Sequence, residues 1–466
     1  MIFSSIPFLY YFLPIVLLVY YAAPKAFKNA VLLFSSLVFY AWGEPRYVFL
    51  MMASITASYV TGLLIEKYRG RTLSKLFLIV SVALSLALLG YFKYADFFIA
   101  NFNAITGFSF PFLKLALPIG ISFYTFQLIS YSVDVYRGET PAQKNIISLG
   151  AYVALFPQLI AGPIVRYSDI SRQLTSRTHS FDKAWNGCRS FVIGLAKKVL
   201  IANTLGELCA SYLQSTQSSL AYGWLYAIAY MLQIYFDFSG YSDMAIGLGK
   251  FFGFEFSPNF NYPLISSSIT EFWRRWHISL GTWFRDYVYI PLGGNRVKRG
   301  RMLFNIFAVW FLTGFWHGAE WNFVIWGLYF GVLLTLEKFF FARYLADHKL
   351  LGRLYVMFFV IISFGIFAAD SFSSALGNLG AMFGTSGQAV FSAEFAYALR
   401  NYGFVLTLAA IGATPLCKKL WLLVRNRAKQ RAWLDVLEVL VLAFLLIVVS
   451  AYLADGSFNP FLYFRF

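Results

Sequence analysis

Eleven charge-free apolar runs punctuate the chain, at residues 7–22, 29–43, 47–65, 76–92, 115–133, 208–236, 302–319, 321–336, 354–369, 401–416 and 439–454. They are continuous blocks, without the polar and apolar alternation of a half-buried strand. Their lengths lie around the ~20 residues that carry a helix across a bilayer. The shorter blocks need polar flanks or local adjustment of the membrane to span it. The pattern predicts an all-α polytopic membrane protein with about eleven transmembrane helices. Two further stretches break the pattern. Residues 145–165 are apolar but carry Pro157, Gly162 and Pro163, and residues 241–270 are rich in Gly, Ser, Asn and Pro. Broken backbone at membrane depth is tolerated only where it is buried in protein or lines a cavity. Both stretches therefore read as re-entrant or interfacial, and as candidate walls of a site.

The polar positions between the runs set an orientation. Lys25 and Lys28 close the first run, Glu44, Pro45 and Arg46 form a nearly neutral turn, and Lys67, Arg69, Arg71 and Lys75 close the third. Basic connections stay in the cytoplasm, which places the N-terminus outside. The richest basic stretches, 274–301 and 418–431, are expected to be cytoplasmic. The uncharged, Gly- and Ser-rich stretch 371–393 is expected to be an outer loop. With no internal repeat and no separate soluble segment, the expected organisation is one membrane body over residues 1–466.

Composition sharpens this picture. Of 466 residues, 59% are apolar and only 13% charged, whereas a soluble domain is near a quarter charged. This excludes a soluble enzyme, a coiled coil and a disordered chain. Rings make up 20% of the residues, as suits a helical body with aromatic interfacial belts. The net charge of +17 raises nucleic-acid binding as an alternative. However, the basic residues sit in short loops, which fits cationic loops against an anionic cytoplasmic leaflet. Cys188, Cys209 and Cys417 are far apart and show neither a disulfide framework nor metal spacing. The first apolar run lacks a basic leader and reads as a span.

Candidate chemistry is sparse. Of four histidines, His179 and His348 lie in polar stretches and read as solvated. His317 lies in Thr313-Gly314-Phe315-Trp316-His317-Gly318, about 16 residues from Arg301. At 1.5 Å per residue that is roughly 24 Å along a helix, well inside the membrane, where an ionisable group is functional by default. The alternative is a neutral histidine satisfied by a neighbour. His277 lies in Phe272-Trp273-Arg274-Arg275-Trp276-His277, which reads either as an interfacial helix anchored by Trp and Arg or as a cavity wall. Arg274, Arg275 and Arg285 could attract an anionic cytoplasmic substrate such as a nucleotide-bearing thioester. They could equally pair with Asp237, Asp243 or Asp286, or anchor lipid. Asp237 and Asp243 read as structural ion pairs before they read as catalysts. There is no Walker A loop, nucleophile elbow or metal-binding cluster. A membrane-embedded histidine is a natural general base, because its ordinary pKa lies near working pH.

Five ordered motifs then resemble the membrane-bound O-acyltransferase family, most nearly its bacterial alginate O-acetylase branch. They are Leu117-Pro118-Ile119-Gly120 to Gln127; Phe156-Pro157-Gln158 to Ile164; Gln233 to Gly247; Asn259 through Arg274-Arg275-Trp276-His277 and Arg285-Asp286 to Asn295; and Leu312 to Gly318 with Trp321-Asn322. The likeness covers about residues 1–340 and is densest over 115–330. It implies helices around a central tunnel, with an acyl donor entering from the cytoplasm and an acceptor from outside. The family's principal histidine matches His317 and its second matches His277. By this resemblance His317 and His277 are the expected catalytic residues. Arg274, Arg275, Arg285, Trp316, Asp237 and Asn322 are expected to contact substrate. The donor is acetyl-CoA, used as a substrate, with no cofactor and no metal. The expected partners are a polysaccharide acceptor and an extracytoplasmic protein resembling SGNH esterases, and the expected location is the bacterial inner membrane. Alginate is the leading acceptor, with peptidoglycan or another exopolysaccharide as the alternative. A polysaccharide-precursor transporter is the competing class.

Overall fold

The structure is a computed structural model that describes all residues except 218, 386, 429–431, 456–460 and 463–466. Lys429 and Arg431 of the basic stretch 418–431 therefore lie outside the described residues. Helix makes up 77% of the protein, and the described residues contain no strand. The chain divides into two compact units, residues 1–191 with 242–257 and residues 192–241 with 258–466.

Five helices among the described residues are long and apolar enough to cross a membrane: Tyr47–Lys67, Thr72–Thr106, Trp321–Asp347, Lys349–Phe367 and Ala432–Ala454. A sixth span is possible if Ala393–Gly412 and Leu416–Arg427, bent by 63°, act together. The protein is thus a multi-pass helical membrane protein, but eleven spans are not established. The remaining apolar runs are helical for most of their length but shorter, more polar or interrupted: 115–120 precedes the helix Ile121–Arg137, and the single span expected at 208–236 is divided between the separate helices Asn203–Leu213 and Leu220–Phe251. Lys28–Ala41 has 14 residues, about 21 Å at 1.5 Å per residue. Ile121–Arg137 buries Thr125, Gln127, Ser130 and Asp134 along its length. A helix enclosed by protein can carry such groups, whereas a lipid-facing one cannot.

In the first unit, the rings of Phe3, Phe8, Phe12, Phe39 and Phe156 meet at centroid distances of 4.9–6.4 Å. The stretch 145–165 breaks as expected. Helix Ile146–Ala154 ends at Leu155, and a single turn, Phe156–Leu159, follows with Pro157 near its start. The amide of Phe156 donates to Ser36 Oγ at 3.1 Å, which satisfies the interruption.

Two expectations are corrected here. Residues 241–251 do not form part of a broken segment; they complete the 32-residue helix Leu220–Phe251, and irregular backbone begins only after it. Nor is 371–393 wholly a loop. Ser371 Oγ accepts from the Ser374 amide and caps the helix Phe372–Phe383. That helix buries Ala375, Ala381 and Met382, and Asn378 Nδ2 donates to the Gly365 carbonyl. Small residues that look loop-like in sequence are serving here as a packing face.

In the second unit, helices Arg299–His317 and Trp321–Leu336 are joined by residues 318–320 and pack closely. A Cβ at Gly314 would collide with the Phe323 carbonyl oxygen, and one at Gly327 with the Trp310 carbonyl oxygen. Small residues of this kind let membrane helices approach backbone to backbone. Beside this pair, the short helix Ile269–Arg275 is anchored by Glu337. The buried carboxylate accepts from the amides of Ile269 at 2.7 Å and Thr270 at 3.1 Å. Hydrogen bonds to a charged group contribute about 1.5–3 kcal/mol each. Glu337→Leu should therefore lower the thermal midpoint of detergent-solubilised protein clearly, and Glu337→Gln, which keeps one acceptor, should lower it less.

Candidate active site

His317 is the last residue of helix Arg299–His317 and is buried. Its ring meets Trp326 at 5.1 Å and Phe367 at 5.4 Å, both at 83°, and Trp316 at 5.0 Å. Edge-to-face contacts of this kind set ring orientation as well as burying area. His317, Trp326 and Phe367 line a narrow, partly open pocket, together with Ile234, Asp237, Phe238, Trp276, Phe364, Phe461 and Leu462. The histidine predicted to lie deep in the membrane thus lines an apolar pocket. Trp326 Nε1 is buried and has no hydrogen-bond partner among the described residues.

Asp237 shares this wall. Its Oδ1 lies 2.5 Å from Lys198 Nζ, with both side chains at most 4% exposed, and its Oδ2 accepts from the Leu462 amide at 2.8 Å. The ionic partner expected for Asp237 was an arginine of 274–285; the structure supplies Lys198 instead. Of the residues lining the pocket, sequence reasoning singled out only His317 and Asp237; the aromatic and aliphatic remainder, Phe461 and Leu462 among them, and the buried Lys198 were missed. Lys198 sits in the tandem Lys197-Lys198, which resembles an ordinary loop charge, yet the helical run from Phe181 to Leu213 continues through it.

His277 lies apart from the cavity lining, with its ring 4.7 Å from Phe238 and 6.1 Å from Trp316. It is 2% exposed, and burial pushes its imidazole down to about 3, so the ring is neutral. Trp316, set between the two histidine rings, is also outside the lining. Asn322 is fully buried, and its Nδ2 donates to the Ala369 carbonyl at 2.7 Å, fastening the start of one helix to the end of Lys349–Phe367.

The arginines separate. Arg275 pairs with Glu271 at 2.8 Å and also donates to the Asn261 carbonyl. Arg285 pairs with its neighbour Asp286 at 2.6 Å. Arg274 is exposed and has no ion-pair partner among the described residues. The other two histidines also resolve. His348 is exposed and stacks on Tyr344 at 4.4 Å. His179 is half-buried rather than solvated, with Nε2 3.0 Å from the Tyr20 hydroxyl, which donates to the Phe252 carbonyl.

The class of this many-helix membrane protein, with a histidine buried beside an apolar pocket, is given by its relatives. The profile of the membrane-bound O-acyltransferase family matches residues 139–376. The chain is 46% identical over 391 residues to a protein of Azotobacter vinelandii named "Probable alginate O-acetylase AlgI", covering 82% of this chain and 78% of that one. It is 41% identical to the Pseudomonas putida protein of the same name over the full length of both. It is 37% identical to a Helicobacter pylori peptidoglycan O-acetyltransferase, covering 83% and 80%. The chain belongs to the membrane-bound O-acyltransferase family and is an O-acetyltransferase.

The Lys198–Asp237 pair yields a sharp expectation. Removing one member of a buried ion pair costs about 3–5 kcal/mol, whereas replacing both by apolar groups can be close to neutral. Lys198→Met alone should sharply lower folded yield and thermal midpoint, and Lys198→Met with Asp237→Leu should recover most of that loss.

Proposed function

We propose that this enzyme takes acetyl groups from cytoplasmic acetyl-CoA and delivers them across the bacterial inner membrane for O-acetylation of an extracytoplasmic polysaccharide, with alginate the leading acceptor. The observation that carries the reading is His317, held by Trp326 and Phe367 at the wall of an apolar chamber. The alginate O-acetylase relatives support alginate as the acceptor. In this reading His317 takes the proton from the acceptor hydroxyl as that oxygen attacks the thioester carbonyl carbon. The C–S bond breaks, the acetyl group passes to oxygen, and the departing sulfur takes the proton back from the imidazole, leaving free CoA thiol. His277 assists by orienting the reacting groups. The low-polarity wall strengthens each charge interaction and limits hydrolysis of the thioester.

Arg274 is the best placed of the three arginines for the anionic donor, because Arg275 and Arg285 already have carboxylate partners. An extracytoplasmic protein resembling SGNH esterases passes the group on to the polymer. Peptidoglycan is the second acceptor reading, supported by the H. pylori relative. Acetyl content of alginate and of peptidoglycan after gene deletion separates the two.

Three outcomes test the reading. Purified enzyme with its partner should release CoA from acetyl-CoA in an acceptor-dependent way; a transporter would release none. A general base contributes about 10²–10⁴ in rate, so His317→Ala should lose activity on that scale while remaining folded in the membrane. Arg274→Glu should raise the KM for acetyl-CoA with little change in protein yield; loss of folded protein alone would mark Arg274 as structural.

A further inference from the structure

His277 is held in a tightly determined pose. It sits in the break between helices Ile269–Arg275 and Ile278–Phe284 with φ of +45°. This left-handed conformation is uncommon for a residue with a Cβ and persists only where its surroundings impose it. Asn259 supplies much of that constraint. Its backbone carbonyl accepts from the Ile278 amide at 2.9 Å. Its side-chain Oδ1 accepts from the Ser279 amide at 3.1 Å and the Ser279 hydroxyl at 3.0 Å, and lies 3.3 Å from His277 Nδ1.

We infer that Asn259 is a positioning residue that holds His277 as the Nδ1–H tautomer, leaving the lone pair of the ring on Nε2. This rests on the reading of His277 as a participant in acetyl transfer. The backbone amide of Ser279 can only donate, so the Asn259 atom facing it is the oxygen and the side-chain amide cannot be flipped. That oxygen can only accept, so the imidazole nitrogen facing it carries hydrogen; a lone pair there would oppose another lone pair. The Ser279 hydroxyl agrees. Its hydrogen goes to Asn259 Oδ1, so toward His277 Nδ1, 3.4 Å away, it presents oxygen. His277 Nε2 is buried and has no hydrogen-bond partner among the described residues. A buried acceptor left open calls for an explanation, and a hydrogen-bond donor carried by substrate, a hydroxyl or an amide N–H, would supply one. The tautomer thus determines which face of the ring can serve the reaction, and Asn259 acts only through it.

The test is nitrogen NMR of the full-length protein labelled at histidine, with His277→Gln identifying the His277 signals by their loss. Wild type should show protonated Nδ1 and unprotonated Nε2 at neutral pH. Asn259→Asp, which keeps an acceptor oxygen at the same place, should preserve that signature, and Asn259→Leu should lose it. In the acetyl-transfer assay Asn259→Leu should lower kcat roughly 10-fold or more, a part of what a positioned acid–base group supplies, with KM for acetyl-CoA unchanged and partial rescue in Asn259→Asp. Should the leucine variant fail to fold, wild type and Asn259→Asp still decide. A wild-type His277 protonated on Nε2 overturns the inference, as does wild-type kcat in folded Asn259→Leu. The spectra are read without turnover, so failure of the acetyl-transfer reading would leave the tautomer result standing, and the reverse.

Discussion

The close approach of helices Arg299–His317 and Trp321–Leu336 at Gly314 and Gly327 is the constraint from which the candidate site follows. With bare Cα atoms at both positions the two backbones lie against each other. That contact brings Trp326 of one helix to the ring of His317 at the end of the other. Phe367, at the end of Lys349–Phe367, closes on the same ring. Hydrophobic driving force between helices is weak in lipid, and contact packing has to do the positioning. The imidazole is therefore packed among aromatic faces drawn from three helices.

A second constraint shapes another part of the pocket lining. A carboxylate and an ammonium buried to this degree hold their charges only because each answers the other. The Lys198–Asp237 pair is therefore a fixed dipole set into an otherwise apolar surface. Glu337 repeats the solution in another form, its charge answered by two amides at the start of a short helix. Both cases show how this fold carries charge at depth: each carboxylate is matched locally, and none depends on the solvent.

Much of this was legible in the chain. The helical membrane character follows from the length and continuity of the apolar runs, and His317 stood out because it lies about 16 residues from Arg301 along a charge-free run. The number of spans was not legible, because an apolar run of 15 residues and an enclosed helix bearing Gln127 and Asp134 look alike when neighbours are unknown. Residues 241–251 and 372–383 were misread for the same reason, since Gly and Ser mark a turn in isolation and a packing face in company. The partner of Asp237 was hidden because helical phase, invisible in the pair Lys197-Lys198, decides which lysine turns inward. Phe461 and Leu462 could not be assigned at all, as no local pattern ties them to a residue 225 positions away.

That last contact also sets an order of assembly. Lys198 and Asp237 emerge from the ribosome close together and can pair early, but the amide that satisfies Oδ2 arrives with residue 462. At about 5–20 residues per second of synthesis, the interval is on the order of 10 to 45 s. Throughout it the chamber lacks the stretch carrying Phe461 and Leu462, and one carboxylate oxygen must find water or a transient donor. A chain released before this point would hold its histidine and its ion pair in place with that wall still missing. Completion of the chamber is thus coupled to synthesis of a segment 225 residues beyond Asp237, which makes the finished site a report on the arrival of that segment.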